Sequence, residues 1–150
     1  MTKKIVLLIA ACLILAALLT LLFIGIPEKF DVDKSVESLQ AQGLTDGVSY
    51  RTEDELANAT ELANSEITYM GGDFTVEVTA YDHLIQDGDY SKSCTLITFA
   101  NKQQAKNYAE LNISYFAENP DNLWKVARSG RVVVITNLEV AEEVIPLEFE

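Results

Sequence analysis

Few residues of this chain could do acid–base or nucleophilic chemistry. There is a single histidine, His83, which follows Asp82, and there are two cysteines, Cys12 and Cys94. An aspartate can orient an imidazole, but adjacent residues of a strand point to opposite faces, so this spacing does not make a catalytic pair. No serine lies in a Gly-x-Ser-x-Gly elbow. We therefore predict that the chain is not an enzyme, that it has no catalytic residue, and that His83 is an ordinary surface or edge histidine.

Metal and phosphate binding are also disfavoured by the residue types. One histidine and two thiols are too few for a zinc site. Asp82, Asp87 and Asp89 could gather around a hairpin and offer oxygens to calcium, but the EF-hand spacing is absent and acidic residues are common in turns. Gly71-Gly72 lacks the lysine of a phosphate-binding loop. No metal or cofactor site is predicted.

Other residues that could take part in a reaction, a modification or recognition also have structural interpretations. Cys94 lies in an apolar strand pattern, which favours a buried, inert thiol. Two glycosylation sequons begin at Asn58 and Asn112, and both fall inside predicted helices. Some aromatic side chains could form an exposed recognition face, although such residues more often belong to the core or its rim. These aromatic residues are Tyr69, Phe74, Tyr81, Tyr90 and Trp124.

The N-terminus predicts attachment to a membrane. Lys3 and Lys4 precede an uncharged apolar run, Ile5–Ile26, whose helical length of about 33 Å would cross a hydrocarbon core of about 30 Å. A cleaved signal has a shorter apolar core and a small-x-small cleavage site, which this segment lacks. Ile9-Ala10-Ala11-Cys12 matches a lipoprotein signal, but the residues after Cys12 stay apolar. A retained signal-anchor helix is therefore the favoured interpretation, with the cleaved and lipidated forms as alternatives.

Charge sets the orientation of this helix and the domain boundaries. Because Lys3 and Lys4 precede the helix, the positive-inside rule places the N-terminus in the cytoplasm. We predict a cytoplasmic tail over 1–4, a membrane helix over 5–26, a linker over 27–30 and an extracytoplasmic domain over 31–150. The predicted location is the cell membrane, with a single pass.

The part of the chain that follows the predicted membrane helix is long enough for one domain with one core. It carries all 23 acidic residues and all but two of the 11 basic ones, so its formal charge is about −14. Such a field repels nucleic acid, and no stripe of lysine and arginine offsets it. Nucleic acid is therefore excluded as a partner.

Helices are predicted where capping residues precede apolar positions with helical spacing. Thr52 and Glu55 form a capping box, and Asn101 with Gln104 begins the strongest helix. The predicted helices span 30–43, 52–64, 101–118 and 138–145. Their expected N-cap residues are Asp31 or Asp33, Thr52, Asn101 and Asn137.

Strands are predicted where apolar and polar residues alternate between turn residues. Three turns are expected, at Gly71-Gly72, Asp87-Gly88-Asp89 and Ser129-Gly130. The predicted strands span 67–70, 74–81, 93–99, 123–128 and 131–136, and 44–51 is a loop or short strand. This order predicts an α+β fold, an antiparallel sheet with helices packed on one face, with a ferredoxin-like two-layer sandwich as the first topology to consider.

One stretch resembles a known kind of domain. The run Leu96-Ile97-Thr98-Phe99-Ala100-Asn101-Lys102-Gln103-Gln104-Ala105-Lys106-Asn107-Tyr108, followed by Ser129-Gly130-Arg131-Val132-Val133-Val134, is similar to small membrane-tethered or lipoprotein-like extracytoplasmic bacterial domains. In those domains a strand ending in Phe leads into a helix and then into a hairpin with Gly and Val-Val. The resemblance implies a packing pattern and no functional residue.

Together these features predict a membrane-anchored extracytoplasmic binding or accessory module. Its partner would be a protein or a small ligand, and it would contact the membrane through Ile5–Ile26. One alternative is a subunit of a membrane complex that acts through its transmembrane helix. The other is a hydrolytic enzyme, which the lack of a nucleophile–base pair disfavours.

Overall fold

The computed structural model describes residues 9–15 and 30–150. Residues 9–15 are helical. Within these two ranges, no helix is both long enough and apolar enough to span a bilayer. The predicted tail over 1–4 and most of the predicted anchor and linker lie outside the described residues.

Residues 30–150 form an α+β domain around a five-stranded sheet in which all neighbouring strands are antiparallel. The strand order is β1-β2-β3-β5-β4, so β3 is the central strand, as its apolar sequence predicts. The elements are α1 (Val32–Ala41), β1 (Asp46–Tyr50), α2 (Glu53–Tyr69), β2 (Val78–Gln86), β3 (Asp89–Phe99), α3 (Lys102–Ala117), β4 (Lys125–Ser129), β5 (Val132–Thr136) and α4 (Glu139–Val144). The predicted α+β class with an antiparallel sheet is confirmed.

The helices lie on both faces of the sheet, so the prediction of helices on one face is wrong. Helices α2 and α3 pack on one face against a buried cluster that contains Phe99 and Val133. Helices α1 and α4 pack on the other face, where Leu39 and Ala141 join Leu96 of the sheet. Central strands whose residues are apolar on both sides need cover on both faces, which a two-layer sandwich does not give.

The strand order also differs from the ferredoxin-like expectation. Helix α3 connects β3 to β4, and β5 returns between these two strands. This split crossover is the part that the fold shares with ferredoxin-like domains. Strand β1, however, pairs antiparallel with β2 although α2 lies between them in the chain, so the first half of the domain has a different topology.

Most predicted helix starts are confirmed by side-chain caps. The Asp31 carboxylate accepts a hydrogen bond from the Lys34 backbone N–H, and the Thr52 capping box is present. The Asn101 side chain caps α3 by accepting a hydrogen bond from the Gln104 backbone N–H. Asn137, in contrast, does not cap α4: its side-chain oxygen accepts from the Ser93 backbone N–H and so ties the end of β5 to β3.

Helix α2 is longer than the sequence predicts, and this changes the elements that follow it. It continues to Tyr69, so the predicted strand over 67–70 is wrong. Gly71 has a φ of +84°, and the Gly72 N–H donates to the Ile67 carbonyl at 2.8 Å. These are the features of a Schellman motif, in which the glycine pair ends a helix instead of turning a hairpin.

The segment between α2 and β2 is held by side chains of the two long helices. Asn64 of α2 bonds both the N–H and the carbonyl of Val76, and the Thr60 hydroxyl accepts from the Val78 N–H. Gln104 of α3 accepts from the Glu77 N–H. These bonds replace the ladder partners that the predicted strand over 74–81 would have needed, so β2 begins only at Val78.

The two edges of the sheet are β1 and β4. On the outer side of β4, Val126 and Glu150 exchange two backbone hydrogen bonds of 2.9 Å each. The end of the chain therefore satisfies both backbone groups of Val126 that point away from β5.

Candidate functional site

The candidate site is a pocket of about 330 Å³ between the sheet and the C-terminal ends of α2 and α3. Its floor comes from alternate residues of β2, β3 and β5, which point to the same face of the sheet. Tyr81 lies opposite Ile97, and His83 lies opposite Thr95, which in turn lies opposite Ile135. All five of these residues line the pocket.

The walls come from the last turns of the two long helices and from the segment before β4. The last turn of α2 and its C-cap residue form one wall, α3 forms the other, and the single tryptophan of the chain closes one end. The wall residues are Glu66, Tyr69, Met70, Tyr108, Asn112, Tyr115, Phe116 and Trp124, and Ser93 of β3 also contributes.

Four aromatic rings follow one another around this pocket. The ring of Tyr69 contacts that of Tyr115 at a centroid distance of 6.1 Å, and Tyr115 contacts Phe116 at 5.9 Å. Phe116 stacks on Trp124 at 6.3 Å. Tyr69 is 80% exposed although it is aromatic. An exposed ring of this kind beside a pocket is typical of a recognition surface, since aromatic rings provide large contact areas.

At the wall formed by α2, a carboxylate accepts a hydrogen bond from a buried tyrosine. The Tyr108 hydroxyl donates to Glu66 Oε2 at 2.6 Å, and Tyr108 itself is almost fully buried. Burial, and then the nearby charge of Glu66, raise the pKa of Tyr108, so its hydroxyl keeps its proton. Within residues 9–15 and 30–150, Glu66 Oε1 has no hydrogen-bond partner and Glu66 forms no ion pair.

Tyr81 brings a hydroxyl group to the same pocket. Its ring stacks on Tyr50 of β1 at 5.5 Å. Burial raises the pKa of Tyr81 to about 12, and the Glu66 charge acts in the same direction. Tyr81 is therefore a neutral hydrogen-bond donor near Glu66.

His83 is not the surface or edge histidine that the sequence predicts. It lies on β2, which is flanked by β1 and β3, and its ring is half-buried at the pocket floor. Its Nδ1 lies 2.9 Å from Thr95 Oγ1. Burial lowers the pKa of His83, so the imidazole is neutral near pH 7. Asp82, the preceding residue, points to the opposite face of the sheet and does not orient the ring.

The three aspartates considered for calcium are not brought together. Asp82 is 1% exposed, accepts from the Ser49 hydroxyl at 2.6 Å, and pairs with Arg51 at 2.9 Å. Asp87 and Asp89 lie at the β2–β3 turn, where both Asp87 and Gly88 have positive φ. In the part of the chain that the structure describes, no three His, Cys, Asp or Glu side chains lie close enough to share a metal ion.

Cys94 and the sequon residue Asn112 are buried in the fold, whereas the sequon residue Asn58 is exposed. The Cys94 thiol is fully buried on the α1/α4 face, which confirms the predicted burial, and this burial raises its pKa to about 12. Asn112 is buried and donates to the Tyr108 carbonyl. Asn58 is exposed on α2.

Of the aromatic residues that the sequence singles out, Tyr69, Tyr81 and Trp124 line the pocket. Phe74 packs against the core, and Tyr90 is exposed at the β2–β3 turn. Sequence reasoning missed Glu66, Met70 and Tyr115. A longer α2 would have revealed the first two, because Glu66 and Met70 are four residues apart and share one helix face.

The fold and the pocket define a small α+β domain with a pocket that is partly lined by aromatic rings. Scans against protein-family models, curated proteins and solved structures found no match to this chain. The resemblance to small membrane-tethered bacterial domains therefore stays a prediction.

Proposed function

We propose that the chain is a membrane-anchored binding module whose outer domain holds a small ligand in the pocket between the sheet and the ends of α2 and α3. Of the two kinds of partner that the sequence leaves open, a small ligand is favoured over a protein. The observation that supports this choice is the pocket itself. Its volume of about 330 Å³ lies at the lower end of the range of small-molecule sites.

The chemistry of the lining also supports a ligand. Ligand sites combine mostly apolar walls with a few polar groups that fix orientation. Here aromatic rings form much of the wall, while Glu66 and the Tyr81 hydroxyl supply polar groups. Neither Glu66 Oε1 nor the Tyr81 hydroxyl has a hydrogen-bond partner among the described residues, so both are available to a ligand.

The anchor proposal rests on Lys3, Lys4 and the run Ile5–Ile26. A reporter enzyme fused after Glu150 should be active only on the outer side of the cell membrane, because the basic residues keep the N-terminus in the cytoplasm. Mass spectrometry of the protein from membranes should find the N-terminal segment intact and Cys12 without lipid. Reporter activity in the cytoplasm would contradict this topology.

Binding is tested with 2-phenylethanol, a neutral, water-soluble molecule that has an aromatic body and one hydroxyl group. Trp124 is the only tryptophan of the chain and lines the pocket, so its emission reports occupancy directly. Titration of the full chain in non-ionic micelles should give a saturable change in emission. Bound 2-phenylethanol should also shield Trp124 from quenching by acrylamide.

Two variants of α2 decide whether the signal comes from the pocket. Met70→Phe enlarges a side chain at the pocket wall and should weaken binding by about fivefold or more, since a methylene-sized clash in a pocket costs about 1–3 kcal/mol. Leu62→Phe makes a similar change at an exposed position on the same helix that does not line the pocket. This control should bind as the natural chain does. A non-saturable response, or equal loss in both variants, would refute the pocket as a binding site.

A further inference from the structure

We infer that the pocket selects an organic cation, an ammonium group on an apolar or aromatic body. This inference rests on the proposed function and specifies the ligand class for the same site. It follows from the charge of the lining, the position of the helix ends and the aromatic rings.

Among the described residues that line the pocket, the charge is only negative. Among the described residues that line the pocket there is no lysine or arginine, and Glu66 is the only carboxylate. Glu66 accepts one bond from Tyr108 and forms no ion pair within the described part of the chain. A carboxylate with a free oxygen beside apolar walls favours an ammonium donor, since a charge-assisted hydrogen bond is stronger than a neutral one.

Two helix ends add negative potential at the same place. The pocket takes Glu66 and Tyr69 from the last turn of α2, and it takes Tyr115 and Phe116 from the last turn of α3. The C-terminal end of a helix carries a partial negative charge. Neither last turn contains a basic residue that would neutralise it. A cation in the pocket would therefore interact favourably with both helix dipoles.

The neutral side chains of the site do not oppose a cation. His83 is half-buried at the floor and uncharged near pH 7, so it adds no positive charge. The rings of Tyr69, Tyr115 and Trp124 add the attraction of aromatic π systems for ammonium groups. The whole chain carries a formal charge of −12, which raises the local concentration of cations around it.

The test compares three molecules that share a phenylethyl body and differ in the head group. These are phenethylammonium, 2-phenylethanol and 3-phenylpropanoate, which are cationic, neutral and anionic near pH 7. Each is titrated into the full chain in non-ionic micelles, with Trp124 emission as the measurement. We expect phenethylammonium to bind about tenfold more tightly than 2-phenylethanol, and 3-phenylpropanoate to bind most weakly. Added salt should weaken only the binding of the cation.

A matched pair of substitutions identifies the responsible carboxylate. Glu66→Gln keeps an oxygen that can accept from Tyr108 but removes the charge. It should reduce phenethylammonium affinity by about tenfold and leave 2-phenylethanol affinity within about twofold. Glu61, like Glu66, is exposed on α2, but it does not line the pocket, so Glu61→Gln removes the same charge outside the site. It should leave all three affinities unchanged.

The outcomes separate this inference from the proposed function. If phenethylammonium binds no more tightly than 2-phenylethanol, the cation preference is wrong. If phenethylammonium keeps its advantage in Glu66→Gln, the assignment of that preference to Glu66 is wrong. If 2-phenylethanol still binds in a manner that depends on Met70, the binding module itself stands. If none of the three molecules gives saturable binding, both proposals fail.

Discussion

Replacing Phe99 by alanine should lower the free energy of unfolding by about 3–5 kcal/mol. Phe99 is fully buried on central strand β3, and its ring centroid lies 4.9 Å from that of Tyr108 on α3. The substitution removes one of the contacts that join the sheet to α3 and leaves a cavity that the two rigid elements cannot close. Small domains are stable by about 5–15 kcal/mol, so this single change should remove a large part of the total.

Urea unfolding followed by circular dichroism measures this loss. Phe74→Ala is the matched control, because Phe74 packs against the same cluster but is only partly buried. It should cost less than half as much as Phe99→Ala. Equal losses in the two variants would show that the α2/α3 face is not the tightly packed core described above.

Gly47→Ala should be nearly as damaging, by about 3–4 kcal/mol. Gly47 lies in edge strand β1 with a φ of +137°, and a Cβ there would come within 1.9 Å of the His83 carbonyl oxygen. Strand β1 would have to move away from β2. That movement would also disturb the stacking of Tyr50 on Tyr81 and the ion pair of Arg51 with Asp82.

A second glycine separates the clash from the cost of backbone strain. Gly130 also has a positive φ, but a Cβ there would meet no atom within 4 Å. Gly130→Ala should therefore cost only about 1–2 kcal/mol, the usual penalty for a left-handed residue other than glycine. The same urea measurement applies. A Gly47→Ala loss no larger than that of Gly130→Ala would contradict the close approach of β1 to β2.

The helix starts could be predicted from sequence because capping is a local property. Thr52 and Asn101 each satisfy backbone groups within their own first turn, so residues three apart are enough to recognise them. The turn at Asp87-Gly88 was predicted for the same reason. The hairpin through Ser129-Gly130 is likewise local.

The end of α2 could not be predicted in this way. Ile67 and Tyr69 favour strands, and Gly71-Gly72 is typical of a hairpin turn as well as of a helix end. The choice is decided by distant residues: Ile67 is buried in the α2/α3 core, and Gly72 lies so close to Ile67 and Leu111 that a Cβ would clash with both. Tertiary packing therefore overrides the local preference.

The candidate site was only partly predictable for the same reason. Tyr69, Tyr81 and Trp124 could be selected as aromatic residues, but their meeting depends on where α2 ends. Glu66 gave no signal of its own, because it lay between the predicted helix over 52–64 and the predicted strand over 67–70, where an acidic residue is usually solvated. Its significance depends on the hydroxyl of Tyr108, which is 42 residues away in the chain.

The paired hydrogen bonds between Val126 and Glu150 limit the access of another chain to the edge strand β4. An exposed edge strand is a template on which another chain can add a strand and begin to aggregate. At β4, Glu150 already pairs with Val126 in that position. The opposite edge, β1, is only five residues long and contains Gly47, so it offers a short template. A small domain whose sheet edges are limited in this way offers little template for polymerisation through its sheet.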